Sequence, residues 1–309
     1  MKNSVLSNLN EKVELDSVCR EYKKLREERR STGNFIYYTS LVVSVFLFAL
    51  AIVRTNLLVF IIGSLFLVFT FIYRYYRVNH ASKQLKTKII TAILKNTYKE
   101  ANYEPFSTLE LSEVTNSTMI KKSASFKSTD LISGVYSKMN FLISDLFLEE
   151  GHKYKDSYGK KRVLYEPFYK GTFIKIDLLE NTSLILKAYQ KSEEEYFIPK
   201  DSELKEVETH SRVFNEKFKI VTNNEMIAQK YITNDLINVL LKYDSIFKGK
   251  VSFGLVESTL YVLVNHVNAL NIRANKPFND KQLNQIIDLI SLPKNLIKEL
   301  DLGTSKYSN

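Results

Sequence analysis

Four residue types are scarce or missing in this chain: it has one cysteine, no tryptophan, nine glycines and five prolines in 309 residues. The lone thiol, Cys19, excludes an intramolecular disulfide framework and a multi-cysteine zinc site, and it reads as an ordinary thiol on a helix. So few glycines leave little for a phosphate-cradling loop, and no Walker A, G-x-G-x-x-G, G-x-S-x-G or H-E-x-x-H pattern occurs. The four histidines, His80, His152, His210 and His266, are scattered. Only His152 has a potential ligand at i+4, Asp156, in a stretch that reads as a loop, and His266 reads as the end of a strand. Asp130 and Glu149-Glu150 flank a mostly apolar stretch, Phe141–Leu148, broken by Asp145, and are the carboxylates that a metal or acid–base site would use. No catalytic, cofactor-binding or metal residue, and no cofactor, is assigned from the sequence.

What the chain does contain is two uncharged apolar runs. Phe35–Val53 and Leu57–Tyr73 carry no Asp, Glu, Lys, Arg, His or Pro, and only Arg54, Thr55 and Asn56 part them. As helices they would span roughly 28 and 26 Å, close to the ~30 Å hydrocarbon core of a bilayer. That core offers no water to backbone polar groups, so such runs are expected to be helical. The reading is a transmembrane helical hairpin over 35–76. A buried helical hairpin in a soluble protein is the alternative, and the late start and the second span fit poorly with a cleaved signal peptide.

The net charge of +10 could suggest nucleic acid, but its placement argues otherwise. Eleven of the 44 Lys and Arg lie within about 15 residues of the hairpin, among them Arg29, Arg30, Arg74 and Arg77. Six precede the first run, five follow the second, and only Arg54 sits between them. The positive-inside rule then puts both termini in the cytoplasm of a multi-pass protein of the cell (inner) membrane. Tyr37, Tyr38, Tyr73, Tyr75 and Tyr76 fall at one membrane surface, where an aromatic belt belongs.

Residues 1–34 read as a charged helix, solvated and marginally stable because sustained heptads are absent, with a short coiled coil as the alternative, and 77–102 as a basic juxtamembrane helix. Leu85, Ile89, Ala92 and Ile93 form its apolar stripe, suited to anionic lipid headgroups or to the cytoplasmic domain. Residues 103–302 read as an α+β domain and 303–309 as a polar tail. Strands are expected near Tyr169–Leu179, Leu184–Tyr189 and Phe218–Val221, and a β-hairpin over Lys250–Asn265 turning at Glu257-Ser258. Thr222-Asn-Asn-Glu225 has the form of a capping box, which opens one helix over Met226–Tyr243. Asn279 caps a further helix that restarts at Ser291-Leu292-Pro293.

The order of these features resembles the bacterial domain-of-unknown-function family 3137. Its Tyr-x-Pro is similar to Tyr103-Glu104-Pro105, and its Ser…Phe with Asp-x-Ile-x-Gly to Ser123, Phe126, Asp130, Ile132 and Gly134, at shorter spacing. An F-K-G-x-F strand resembles Tyr169-Lys170-Gly171-Thr172-Phe173, with Phe168 one place earlier. An F-E-K-x-F-x-V-Y-S segment resembles Phe214–Thr222, including Phe218. The family L-T-P corresponds to Ile232-Thr233-Asn234, without the proline. The resemblance implies a membrane location and a cytoplasmic α+β domain, and it brings no activity and no catalytic residue. The expected function is therefore a non-enzymatic membrane protein whose cytoplasmic domain binds a protein partner, with the bilayer and its anionic headgroups as further partners and no nucleic acid. The alternatives are a ligand-sensing homo-oligomeric effector or pore, and a membrane-surface enzyme with an unrecognised site.

Overall fold

The computed structural model describes residues 20, 24, 27, 35–53, 55, 57–180, 182–193, 203–248, 251–265, 270, 272, 280–300 and 302. Most of the expected N-terminal helix, with Cys19, Arg29 and Arg30, lies outside the described residues, as do His266, Asn279, the tail 303–309 and the side chain of Arg77. The chain divides into two compact units, residues 1–96 with 271–280, and residues 97–270 with 281–309.

The first unit holds helix α1, Phe35–Val53, and most of helix α2, Leu57–Thr97, a single 41-residue helix. The two pack antiparallel. The Phe48 and Phe60 rings meet at 5.2 Å near the connection, and Tyr37 and Phe71 at 6.4 Å at the other end. The few hydroxyls in the helices fold back on their own backbone. Ser40 donates to the Tyr37 carbonyl, Ser44 to Ser40, Ser64 to Phe60 and Thr70 to Phe66. Such back-bonding satisfies a hydroxyl where no water is at hand. Further along α2, Leu85, Ile89 and Ile93 are buried and Lys83, Lys88 and Lys95 are exposed, which is the stripe the sequence predicts.

The second unit is built on an antiparallel nine-stranded sheet of order β1-β2-β3-β4-β9-β8-β5-β7-β6. Its strands are β1 (Glu100–Glu104), β2 (Ser125–Tyr136), β3 (Met139–Lys155), β4 (Lys161–Asp177), β5 (Ile185–Gln190), β6 (Lys205–Val207), β7 (Phe218–Thr222), β8 (Val251–Val256) and β9 (Thr259–Asn265). Helices α3 (Leu111–Asn116), α4 (Arg212–Lys217), α5 (Glu225–Tyr231), α6 (Asn234–Ile246) and α7 (Asp280–Glu299) complete it. Paired residues across an antiparallel ladder share a face. Phe141, Ile143, Ile174, Val262 and Phe253 therefore lie on one face, and Leu146, Leu148, Phe173 and Leu263 on the other. The second face forms a core with Leu109, Val114, Met119 and Ile120 from the segment around α3. Both faces are covered, so β8 is buried at all six positions. This is why its sequence reads as a continuous apolar run instead of an alternation.

Three local expectations are corrected. The helix expected over Met226–Tyr243 is two helices that break at Ile232-Thr233. Its N-cap is Asn224, whose side chain accepts from the Ile227 N–H, while Thr222 takes the N–H of Asn224 one step earlier. Thr233 caps the second helix by accepting from Leu236 N–H at 3.2 Å. Asn234 is thus the first helical position, where the proline of the family tripeptide would be favourable. Finally, α7 runs through Pro293 instead of restarting there. Pro293 has no N–H and crowds the preceding turn. At this point the Tyr98 hydroxyl enters the ladder, donating to the Ile290 carbonyl at 2.7 Å and accepting from Lys294 N–H at 3.3 Å. Burial raises the Tyr98 pKa, so the hydroxyl stays protonated and can donate.

Candidate functional site

The first candidate surface is the outside of the helical hairpin. Val42, Val45, Phe46 and Ile52 on α1 and Leu58, Leu65 and Phe69 on α2 are all exposed. In each helix only 11% of the most apolar stretch is buried, at a mean hydropathy of 2.3. A water-soluble helix turns one stripe outward and it is polar; here the outward surface is apolar all round. At the end of the hairpin away from the connection, Tyr37 packs edge-on against Tyr38 at 5.5 Å, and the Arg74 guanidinium lies 4.2 Å over the Tyr37 ring. Tyr73 stacks on Phe69 at 6.3 Å, and Tyr75 and Tyr76 are exposed. The five tyrosines singled out from the sequence and Arg74 are thus gathered at one end.

The second candidate is a polar seam inside the sheet unit. Between Thr129 and Ile132, β2 carries a bulge, with Asp130 at φ 65°. Asp is one of the few residues that tolerates this left-handed position. The Tyr103 hydroxyl donates to the buried Asp130 carboxylate at 2.6 Å. Burial first, then that carboxylate, raises the Tyr103 pKa. Asp145, in the apolar run of β3, is also buried and accepts from the Thr172 hydroxyl at 2.7 Å. On the opposite face Ser128 and Ser144 share a hydrogen bond at 2.8 Å, and Ser128 accepts from the Leu109 N–H. The seam joins β1 to β2, β2 to β3 and β3 to β4. The acid grouping expected from the sequence is resolved differently: Asp130 faces Tyr103, while Glu150 is held by Lys121 at 2.8 Å, which lowers its pKa.

The remaining site positions are packing or turn residues. A Cβ on Gly134 would lie 2.6 Å from the Phe141 ring and 2.7 Å from the Glu100 carbonyl. One on Gly171 would lie 2.0 Å from the Val264 carbonyl, where β4 meets β9. Phe173 is fully buried, 5.7 Å from the Tyr261 ring. Phe214 and Phe218 are buried and stack at 4.7 Å. Pro105 follows β1 at a turn, and Lys170 is exposed on β4. His152 lies within β3, paired with Leu164, and not in a loop as its neighbourhood suggests; its nearest carboxylate is Glu166 at 3.6 Å. Asp156 instead ties the β3–β4 turn, accepting from the N–H groups of Tyr158 and Lys160 and from Arg162. Among the described residues no three His, Cys, Asp or Glu side chains converge as metal ligands.

Sequence reasoning missed Lys187. It lies on β5, 2% exposed, and its ammonium donates to the Thr118 carbonyl. Burial pushes its pKa down to about 8. Its neighbours in the sequence give no sign of this, because a lysine within Leu184–Tyr189 reads as the polar side of a half-exposed strand. The structure also holds a cavity of about 60 Å³ between β5, β8 and β9 and helices α5 and α6, lined by Leu186, Leu236, Leu240, Phe253, Leu255 and Leu260 among others.

An antiparallel α+β domain in one chain with an apolar helical pair is the class this architecture defines. Residues 167–302 match the family described as protein of unknown function (DUF3137), the family the sequence resembles. Comparison with curated proteins gives no match. Among solved structures, the crystal structure of the mycobacterial trehalose monomycolate transport factor A, TtfA, is similar over 66% of this chain and 94% of that chain. The likeness has 10% identity and a TM-score of 0.38, a level that supports neither a fold nor a function.

Proposed function

We propose that the chain is an integral protein of the cell membrane, held by a two-span hairpin with both termini in the cytoplasm, whose α+β domain works by binding a protein partner. The observation that carries the membrane part is the exposed apolar surface of both hairpin helices, which would cost about 25 cal/mol for each Å² left in water. The orientation rests on the basic residues around the hairpin. The partner-binding role is supported by how the domain uses its polar side chains. Tyr103, Asp130, Asp145 and Thr172 are turned on one another and hold four strands in register.

In-cell crosslinking of a C-terminally tagged chain, followed by mass spectrometry, tests this reading. It is run on the native protein and on a version whose residues 35–73 are replaced by an unrelated hairpin. A discrete second protein recovered with both versions supports partner binding by the domain. Self-crosslinks alone, lost with the native hairpin, would instead favour an oligomeric membrane effector.

A further inference from the structure

The two longest strands of the sheet outrun their neighbours. Among the described residues β2 pairs with β3 as far as Glu149 and β9 with β4 as far as Gly171, while β3 and β4 stay paired out to Lys155 and Lys161. Within this outer ribbon His152–Lys155 and Ser157–Tyr165 are exposed. Residues 151–165 hold five Lys or Arg against one Asp. That Asp is Asp156, already engaged by the turn and by Arg162 at 3.1 Å. Register places Lys153, Lys155 and Lys161 on one face, with Lys155 and Lys161 directly opposite each other. Like charges in that relation destabilise a strand pair. No ion pair answers Lys153, Lys155, Lys160 or Lys161 among the described residues. The same face carries Val163 and Tyr165, half-exposed, with their side chains over Gly151. At the tip stands Tyr158, 93% exposed.

We propose that this ribbon is a docking surface for anionic phospholipid headgroups of the cytoplasmic leaflet of the membrane that the hairpin crosses. One face carries Lys155 and Lys161 toward the tip and Lys153 opposite Val163, with no ion pair to any of the three among the described residues, while Tyr165 lies at the inner end and Tyr158 at the tip. Lysines supply the attraction to an anionic surface, and tyrosines settle at the level of the headgroups. A second copy of the ribbon is excluded as the occupant by its own positive charge. The inference rests on the membrane reading above.

The test uses the full-length chain, Cys19→Ser and Ser157→Cys, carrying an environment-sensitive fluorophore at position 157. The protein is placed in nanodiscs of phosphatidylcholine alone or with added phosphatidylglycerol. The expected result is a blue shift in the anionic discs only, reversed by high salt. Lys153→Glu, Lys155→Glu and Lys161→Glu together should weaken docking by roughly 100-fold or more. Their thermal unfolding should stay at the parent value, since these side chains are exposed. Equal emission in both discs, or a shift that survives charge reversal, would overturn the proposal. So would a shift produced by polyglutamate and not by anionic lipid, which would make the occupant an acidic protein segment. Failure of the membrane reading looks different: the chain would not co-elute with discs of either composition.

Discussion

The hairpin and the sheet unit handle apolar surface in opposite ways. In the sheet unit Ile143, Ile174 and Val262 are fully buried and the periphery is charged. In the hairpin Val45, Phe46 and Leu65 point outward, and the hydroxyls are the groups tucked against the backbone. One region buries its apolar surface and the other leaves it exposed. The comparison teaches that the same composition statistic, a mean hydropathy of −0.17, averages two regions of opposite character and describes neither.

Glycine substitution should break the comparison most sharply. Gly171→Ala drives a methyl into the Val264 carbonyl at the β4–β9 junction, and backbone cannot give way there. We expect a loss of roughly 4 kcal/mol or more, seen as failure of the domain to fold. Gly63→Ala in the hairpin meets Leu47 at 3.4 Å, an ordinary contact, and should leave thermal unfolding close to the parent's. Phe46→Lys puts a charge on the exposed mid-hairpin surface. In water it should improve solubility, whereas in a bilayer it should cost about 3 kcal/mol of insertion, read as protein lost from the carbonate-resistant membrane fraction.

Lys187→Met should raise stability by up to roughly 3 kcal/mol at pH 7, because the folded state holds the ammonium at a pKa of about 8 against an ordinary ~10.4. The sign follows from the protons. Between these two values the unfolded chain binds more of them, so the parent gains stability as pH rises from about 8 to ~10.4. Below that window the burial cost is complete, and above it the cost is gone. Denaturation of Lys187→Met across the window should lack this slope. A smaller loss is expected for Thr233→Ala, which removes a helix cap and should cost about 1 kcal/mol in chemical denaturation.

The apolar helices were legible because an uncharged run of 19 residues has few other physical outcomes. The β8–β9 hairpin was legible for a similar reason, with its turn at Glu257-Ser258 where the register closes. The long β2–β3–β4 meander was harder to read. Its strands are covered on both faces near β9 and exposed on both faces at the ribbon, so neither end alternates. The helix break at Ile232 hid in a stretch of near-helical spacing, since Thr233 marks a cap only once its side chain meets Leu236 N–H. The polar seam was invisible for a different reason. Tyr103 and Asp130 are 27 residues apart and meet only through the β1–β2 pairing.

The central claim is that the hairpin crosses a membrane with both ends on one side. Cysteine labelling in intact cells tests it most directly, and the single native cysteine makes a clean background: Cys19→Ser with either Asn56→Cys between the helices or Ser308→Cys near the C-terminus. A membrane-impermeant maleimide should label position 56 in intact cells and position 308 only after lysis. Labelling of both positions before lysis, or of both only after it with the protein in the soluble fraction, would contradict the account.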